Sequence, residues 1–538
     1  MIKLFSLICW GLLAFASCNK SNNADDTSST SGSLTKINTS TPAIVTQIDT
    51  VAPANAVNAK SLGVMGNGVN DDTDALQKLI NSQTDILLPA GTYVINKTLN
   101  MRANVKIYGR AGATITTGTQ ISGTLLTNGR YFYFDNADNC LLYNITFKKS
   151  SQSFSLSNWA NACIYVSSSK GTNILYNTFN FNFGYTKTGL EAAWFTGAGT
   201  ANSIIKGNNL YTVGIEYAEA GAGSALVEGN YIKNAHSVAL DAHGNTDTYC
   251  MNNTINNNTI ENPGYIGIED WGNTSGTVIK NNTVSHTGQD PTQGTDGMGI
   301  SAVGQNPQIL NNVITDATLY YIELAGGTAH LVDSNIINDT RGLATGIITN
   351  YTSTKNIDNS IESGKVTITN NQINNCAVGV SYYGNNNINT LLQSNKFTNP
   401  KTVGVSIDSD APIITADFTN NSLSFTLPTS QTRYAFQTYT RLAPTANVKH
   451  TITYNGNTIV YTTAAKSGTG TDYGFFLATN NTTITANIIQ SSISTVKAIG
   501  NTTGNTLNLN FTKNRFSGVT ADFSKFNLLS NTDNVITK

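Results

Sequence analysis

The sequence predicts an all-β solenoid, short strands wound into stacked coils, and three observations predict it. Asparagine, any residue, then an apolar residue recurs along most of the chain. A small or aromatic residue, an aliphatic one and an acid recur in a second register. Long helical periodicity is nearly absent, while Asn, Thr, Ser and 46 glycines supply tight corners between short aliphatic runs. Such a composition suits a turn-rich β protein.

The asparagine register stands at Asn177, Asn208, Asn230, Asn258, Asn282, Asn312, Asn335, Asn371, Asn395, Asn421, Asn457, Asn487, Asn514 and Asn534. Its intervals of 20 to 36 residues are those of solenoid coils carrying loops of variable length. Stacked coils bury like on like, so asparagines at one turn can bond to each other in a ladder. Because the register persists to Asn534, residues 118–538 are expected to form one parallel solenoid. The stretch 424–450 is where a small insertion could sit.

The second register places Glu191, Glu216, Asp241, Glu269 and Glu323 at matching points, with Ser301 taking the acid's place in Gly299-Ile300-Ser301. Side chains of a strand alternate between faces. Ile215, Leu240 and Ile268 then point inward, and Glu216, Asp241 and Glu269 outward, with His243 and Trp271 on the same outward face. Coils about 4.8 Å apart bring these acids side by side. Like charges so placed keep at least one proton among them, which a general acid needs. Neighbours about 5–5.5 Å apart suit a nucleophile with an acid–base partner, and about 6.5–9.5 Å suits an inverting pair.

Net charge is −1 and 12% of residues are charged, which gives no basic stripe for nucleic acid. Lys3, the apolar run Leu4–Ala16 and Ser17-Cys18 resemble a bacterial lipoprotein signal over residues 1–18, with Cys18 as the acylated residue. Residues 19–55 read as a flexible tether. The protein is therefore expected to be an exported monomer, lipid-anchored to a bacterial outer membrane. Cys140 and Cys163, about one coil apart, are expected as two buried thiols or a disulfide. No zinc spacing appears, and no metal ligand set is assigned.

Residues 56–117 read as a cap. Gly66-Asn-Gly68 precedes Asp71-Asp-Thr73, where Asp71 or Asp72 can cap a helix burying Ala75, Leu76, Leu79 and Ile80. Pro89-Ala-Gly-Thr-Tyr93 and Ile107-Tyr-Gly109 follow. These motifs are similar to the N-terminal cap of the pectate lyase-like superfamily, in particular its rhamnogalacturonase/epimerase-like members. The resemblance implies a right-handed parallel β-helix with a short capping helix. It also implies a glycan partner, since members include lyases, glycoside hydrolases, uronan epimerases and phage tailspikes. The polygalacturonase-like motif set is absent here as a set, and no Lys or Arg stands in the acid column. Asp241-Ala242-His243 resembles the Asp-Pro-His of uronan epimerases, with Ala in place of Pro and Val238 where a Tyr is expected.

The catalytic candidates are Glu216, Asp241, Glu269 and His243, with Asp270, whose parity is inward, as a bend residue, a buried acid or a further catalytic group. Trp271, Tyr265, Glu191, Glu323 and Asp296 are candidates for holding substrate. Trp194, Tyr217 and Tyr320 also flank the column; Tyr217 reads by parity as core. The insertion His286–Asp296 could wall a cleft, which makes Asp290 a secondary candidate. Lys206 and Lys280 read as solvent-facing. The expected function is cleavage of a polysaccharide by carboxylate acid–base chemistry. The alternatives are a lyase or C5-epimerase on a uronic-acid polymer, and a non-catalytic glycan-binding lipoprotein. No cofactor is required; Ca²⁺ is the ion such acids could hold.

Overall fold

The computed structural model describes residues 52–537, except residues 119–125, 127, 150–159, 186–188, 245–247, 293–295, 326–328, 352–363, 428–430, 441–447, 463–470, 480, 493–495 and 502–505. All of these belong to one unit, residues 44–538. The leader, Cys18 and most of the tether lie outside the described residues. No helix among the described residues is long and apolar enough to cross a membrane.

The chain winds into a right-handed parallel β-helix with three long sheets and one small two-stranded sheet among the described residues. One coil shows the plan. Strand Ile204–Lys206 lies in the first sheet, Asn209–Tyr211 in the second and Ile215–Glu219 in the third. Leu226–Glu228 then re-enters the first sheet, paired with Ile204–Lys206. Each sheet buries columns of like residues. In the third sheet Ile215, Leu240, Ile268, Ile300 and Ile322 stack inward and are at most 1% exposed. Each such burial contributes about 1.5–3 kcal/mol.

The corner between the first and second sheets explains the asparagine register. The residue before each ladder Asn adopts the left-handed conformation, with φ between 55° and 66° at positions from Tyr176 to Asp533. Asn and Gly tolerate that region at low cost, hence their abundance. The ladder Asn follows and turns its side chain inside. Each Nδ2 donates to Oδ1 of the Asn one coil on, from Asn177→Asn208 at 3.2 Å to Asn514→Asn534 at 2.9 Å. Each Oδ1 also accepts the preceding Asn's backbone N–H, as Asn258 N to Asn282 Oδ1 at 2.9 Å. Every asparagine of the sequence register from Asn177 to Asn534 takes part. The buried polar groups of this corner are thereby satisfied.

At the N-terminus, helix Thr73–Ser82 buries Leu76, Leu79 and Ile80, with Ala75 half-buried. Asp72 holds the N-cap position, but its carboxylate accepts from Met65 N at 2.6 Å and Gly66 N at 3.1 Å instead. Asp71 accepts from Thr73 N at 2.9 Å. The two acids thus divide the work, one starting the helix and one tying down the glycine turn. Gly66 has φ 56° and lies against the Tyr93 ring, where a Cβ would come within 2.6 Å.

Within 424–450, the described strands Arg433–Tyr439 and Lys449–Asn455 pair in register with their neighbours and continue the coil. Cys140 and Cys163 are both buried free thiols.

Candidate functional site

The acids stand on the third sheet, where parallel pairing fixes their rows. Trp194 pairs with Glu216, and Glu216 with Asp241. Leu240 pairs with Ile268, which sets Asp241 beside Glu269. Glu269 pairs with Ser301, and Ser301 with Glu323. The small residue opening each triplet has a steric reason. A Cβ on Gly267 would lie 2.4 Å from Val284 Cγ1, and one on Gly299 2.5 Å from Ile314 Cγ2.

Glu191 is not in this row. It pairs with Ala162, and Trp194, three residues on, holds the equivalent position. Its carboxylate instead reaches His236 of a later coil, Oε1 to Nε2 3.0 Å. His236 is buried and was not singled out from the sequence. Gly189 makes room for it: a Cβ there would come within 2.3 Å of the imidazole.

His243 gathers the central acids. Its Nδ1 lies 3.1 Å from Asp241 Oδ1 and 3.4 Å from Glu216 Oε2, and its Nε2 lies 3.9 Å from Glu269 Oε2. The imidazole is 39% exposed, Asp241 19%, Glu269 14% and Glu216 only 3%. The reachable groups are therefore His243, Asp241 and Glu269, with Glu216 behind them. Burial, then repulsion from Glu219, Glu191 and Glu269, holds the Glu216 carboxyl well above the usual range. Asp241 is raised likewise by burial and by Glu216, Glu269 and Glu191, against the pull of His243. The two carboxyls are neighbours in the row, and like charges so placed favour a proton on one of them.

A β-bulge adds a group that parity conceals. Glu216 pairs with Asp241 and Ala218 with Ala242, so Tyr217 is an extra inward residue. Glu219 consequently faces outward, paired with His243, and accepts Trp194 Nε1 at 2.8 Å. Tyr217 is core, as its parity implies. Its hydroxyl donates to Glu269 O at 3.0 Å and lies 3.4 Å from Asp270 Oδ1.

Asp270 lies inside the coil, away from the outward row. Thr274 and Thr277 donate to its carboxylate at 2.8 and 2.9 Å, and burial raises it to about 6. Those partners make it a structural acid rather than a group that meets substrate. Trp271 is 45% exposed, its ring 5.5 Å from that of His243. Glu323 accepts Ser301 Oγ at 2.7 Å, and burial raises its carboxyl. Tyr320 pairs with Met298 and is raised by burial and then by Glu323 and Asp296; Tyr265 is raised by burial and then by Glu269, Asp296 and Glu323. Asp296 is exposed. Asp290 is buried and ties its own loop, accepting from Thr292 N and Oγ1 at 2.8 and 2.7 Å. Lys206 is 44% exposed and pairs with Glu228 at 2.7 Å.

Glu216, Asp241 and His243 bring one ligand atom each within 4.8 Å of one another and could hold a divalent ion. Two carboxylates and an imidazole suit a transition ion better than Ca²⁺, which takes six to eight oxygens.

Carboxyls with raised values favour the fold fully at about pH 4 and below, and that contribution is lost as pH rises through each folded value. Glu216→Gln removes one of them. Its stability, relative to the unsubstituted protein, is expected to be level near pH 4 and to gain steadily towards pH 8. Denaturation midpoints measured across that range check this; parallel curves would show that Glu216 is not held protonated.

Residues 56–261 match the family model described as rhamnogalacturonase A/epimerase, pectate lyase-like, and residues 192–362 match the right handed beta helix region. No curated protein sequence matches the chain. Among solved structures, the catalytic unit of an α-1,3-glucanase from Streptomyces thermodiastaticus superposes with a TM-score of 0.50 at 15% identity, covering 76% of this chain and 70% of its own. The bacteriophage Phi29 gene product 12 N-terminal fragment gives 0.45 at 13%, covering 89% and 93%. The A-module of an Azotobacter vinelandii mannuronan C-5 epimerase gives 0.34 at 14%, covering 89% and 99%. At such identities the first likeness speaks for the fold alone.

Proposed function

Starting from the right-handed, pectate lyase-like β-helix that this chain carries, we propose that it is an exported carbohydrate-active enzyme that cleaves a glycosidic bond of a polysaccharide. The observation that carries this is the outward row Glu216, Asp241 and Glu269 on consecutive coils, with His243 between them. Asp241, protonated by burial and by its acidic neighbours, donates to the glycosidic oxygen as the bond breaks. Glu269, one coil on and about 4.8 Å away along the sheet, attacks the anomeric carbon. That spacing approaches the roughly 5–5.5 Å of a nucleophile and its acid–base partner. Water then displaces the sugar from Glu269, and Asp241 takes up its proton.

Glu216 is too enclosed to touch the sugar, so it acts through Asp241, favouring a proton there. His243 bonds a sugar hydroxyl, and the exposed Trp271 face stacks on a ring. Export through the leader and anchoring at Cys18 belong to the same proposal.

A second reading, a uronate lyase or C5-epimerase, is favoured by the contact between Asp241 and His243. A third, a glycan-binding surface protein without chemistry, needs only the groove. Incubation with a polysaccharide panel, with and without EDTA, separates them. New reducing ends without the absorbance of unsaturated uronates are the expected result. That absorbance would replace hydrolysis with elimination, and neither signal would leave binding or epimerisation.

A further inference from the structure

The charge pattern of the third sheet extends beyond the acids. We propose that the groove accepts an uncharged stretch of glycan and rejects uronates, so that the substrate is a neutral polysaccharide. This rests on the proposed glycan cleavage at Asp241 and Glu269 and narrows it.

Two outward rows line the face, one through Glu216 and Asp241, the other through Glu219 and His243. Between Tyr165 and Tyr439, no described residue of either row is a lysine or arginine. Glu216, Asp241, Glu269 and Glu323 in the first row and Glu219 and Asp408 in the second set six carboxyls on this face, against the single base His243 among the described residues of the two rows. Among the described residues of the two rows a sugar carboxylate meets acids and no cation, while Arg130 stands at the start of the face, 3.8 Å over the Tyr165 ring.

Past Glu323 the first row continues through Ile348 to Ser381, Ser406 and Gln437, and the second runs through Asn350 and Tyr383 to a further acid, Asp408, and then Tyr439. Hydroxyls and amides of this kind exchange hydrogen bonds with sugar hydroxyls and carry no charge for a carboxylate to seek. Discrimination then comes from repulsion as well as from fit.

The test compares matched oligosaccharides on the full-length protein by calorimetry: gluco-, manno- and galacto-oligosaccharides against the corresponding uronate oligomers, each with added Ca²⁺ and with EDTA. At least one neutral series is expected to bind at least about a hundredfold more tightly than its uronate counterpart in either condition. Glu219→Gln, which removes one carboxyl from the second row and keeps an acceptor for Trp194 Nε1, is expected to strengthen uronate binding about tenfold and to change neutral binding little. Tighter binding of a uronate series, alone or with Ca²⁺, would overturn the charge inference and leave glycan cleavage standing. A protein that binds no member of either series would remove the glycan groove itself. Equal gains by both series in Glu219→Gln would show that charge is not what discriminates.

Discussion

Asp241→Asn is expected to lower kcat by about a thousandfold, within the range of about 10²–10⁴ that general acid catalysis contributes. The amide is nearly the shape of the acid, but it has no proton to give to a leaving oxygen. Glu269→Gln is expected to cost as much, because an amide neither attacks an anomeric carbon nor accepts a proton. What separates catalytic loss from damage to the fold is that the two quantities should move in opposite directions. Asp241 is held well above its usual value by burial and by Glu216, Glu269 and Glu191. Replacing it with a neutral group relieves that repulsion, so the thermal midpoint at pH 7 should hold or rise while activity collapses. Steady-state rates on the active polysaccharide, beside melting curves of the same preparations, check this. Full activity in both variants would place the chemistry elsewhere on the protein.

The second large effect is structural. Asn282 is buried and makes five hydrogen bonds through its side chain and backbone N–H. Its N and Nδ2 both reach Asn312 Oδ1, its Nδ2 also reaches Ile255 O, and its Oδ1 accepts from Asn258 N and Nδ2, all at 2.9–3.0 Å. Asn282→Ala removes the side chain between two coils and strands the Asn258 N–H, an Asn258 amide proton and the Ile255 carbonyl. Each buried group so stranded costs about 1–3 kcal/mol, so about 4 kcal/mol is expected overall. In a solenoid each coil contacts only its neighbours, so the loss should appear locally as well as globally. Amide exchange at Asn258 should accelerate, and the denaturant midpoint should fall. An unchanged midpoint and a still-protected Asn258 amide would mean that the ladder decorates the coil and does not hold it.

The ladder was legible in the sequence because its spacing does not depend on what the loops do. Each coil must place one residue at the same corner, and whatever is inserted elsewhere, that corner requires a left-handed residue and then an amide. The inward column Ile215, Leu240, Ile268 was legible because alternation holds over two or three residues. Alternation failed where a single residue was added. Counting from Glu216 makes Glu219 an inward residue, yet the extra Tyr217 turns it outward to pair with His243. Glu191 misled for a related reason. Its triplet imitates the others, but the strand Glu191–Thr196 is offset, so Trp194 meets Glu216. His236 was invisible because it lies in a turn between strands, where no period predicts which side chain reaches Glu191.

The extra tyrosine has a mechanical consequence. Tyr217 leaves the strand that carries Glu216 and ends, two coils on, at the carbonyl of Glu269. It acts as an internal strut between the first and last of the three central acids, fastened on the side that substrate never sees. A parallel sheet can stretch along its axis by small changes at every hydrogen bond, and carboxyls on separate strands would drift with it. A ring wedged under this stretch shares the load of thermal expansion. That single bond ties the strand of Glu216 to the strand of Glu269 and opposes their separation.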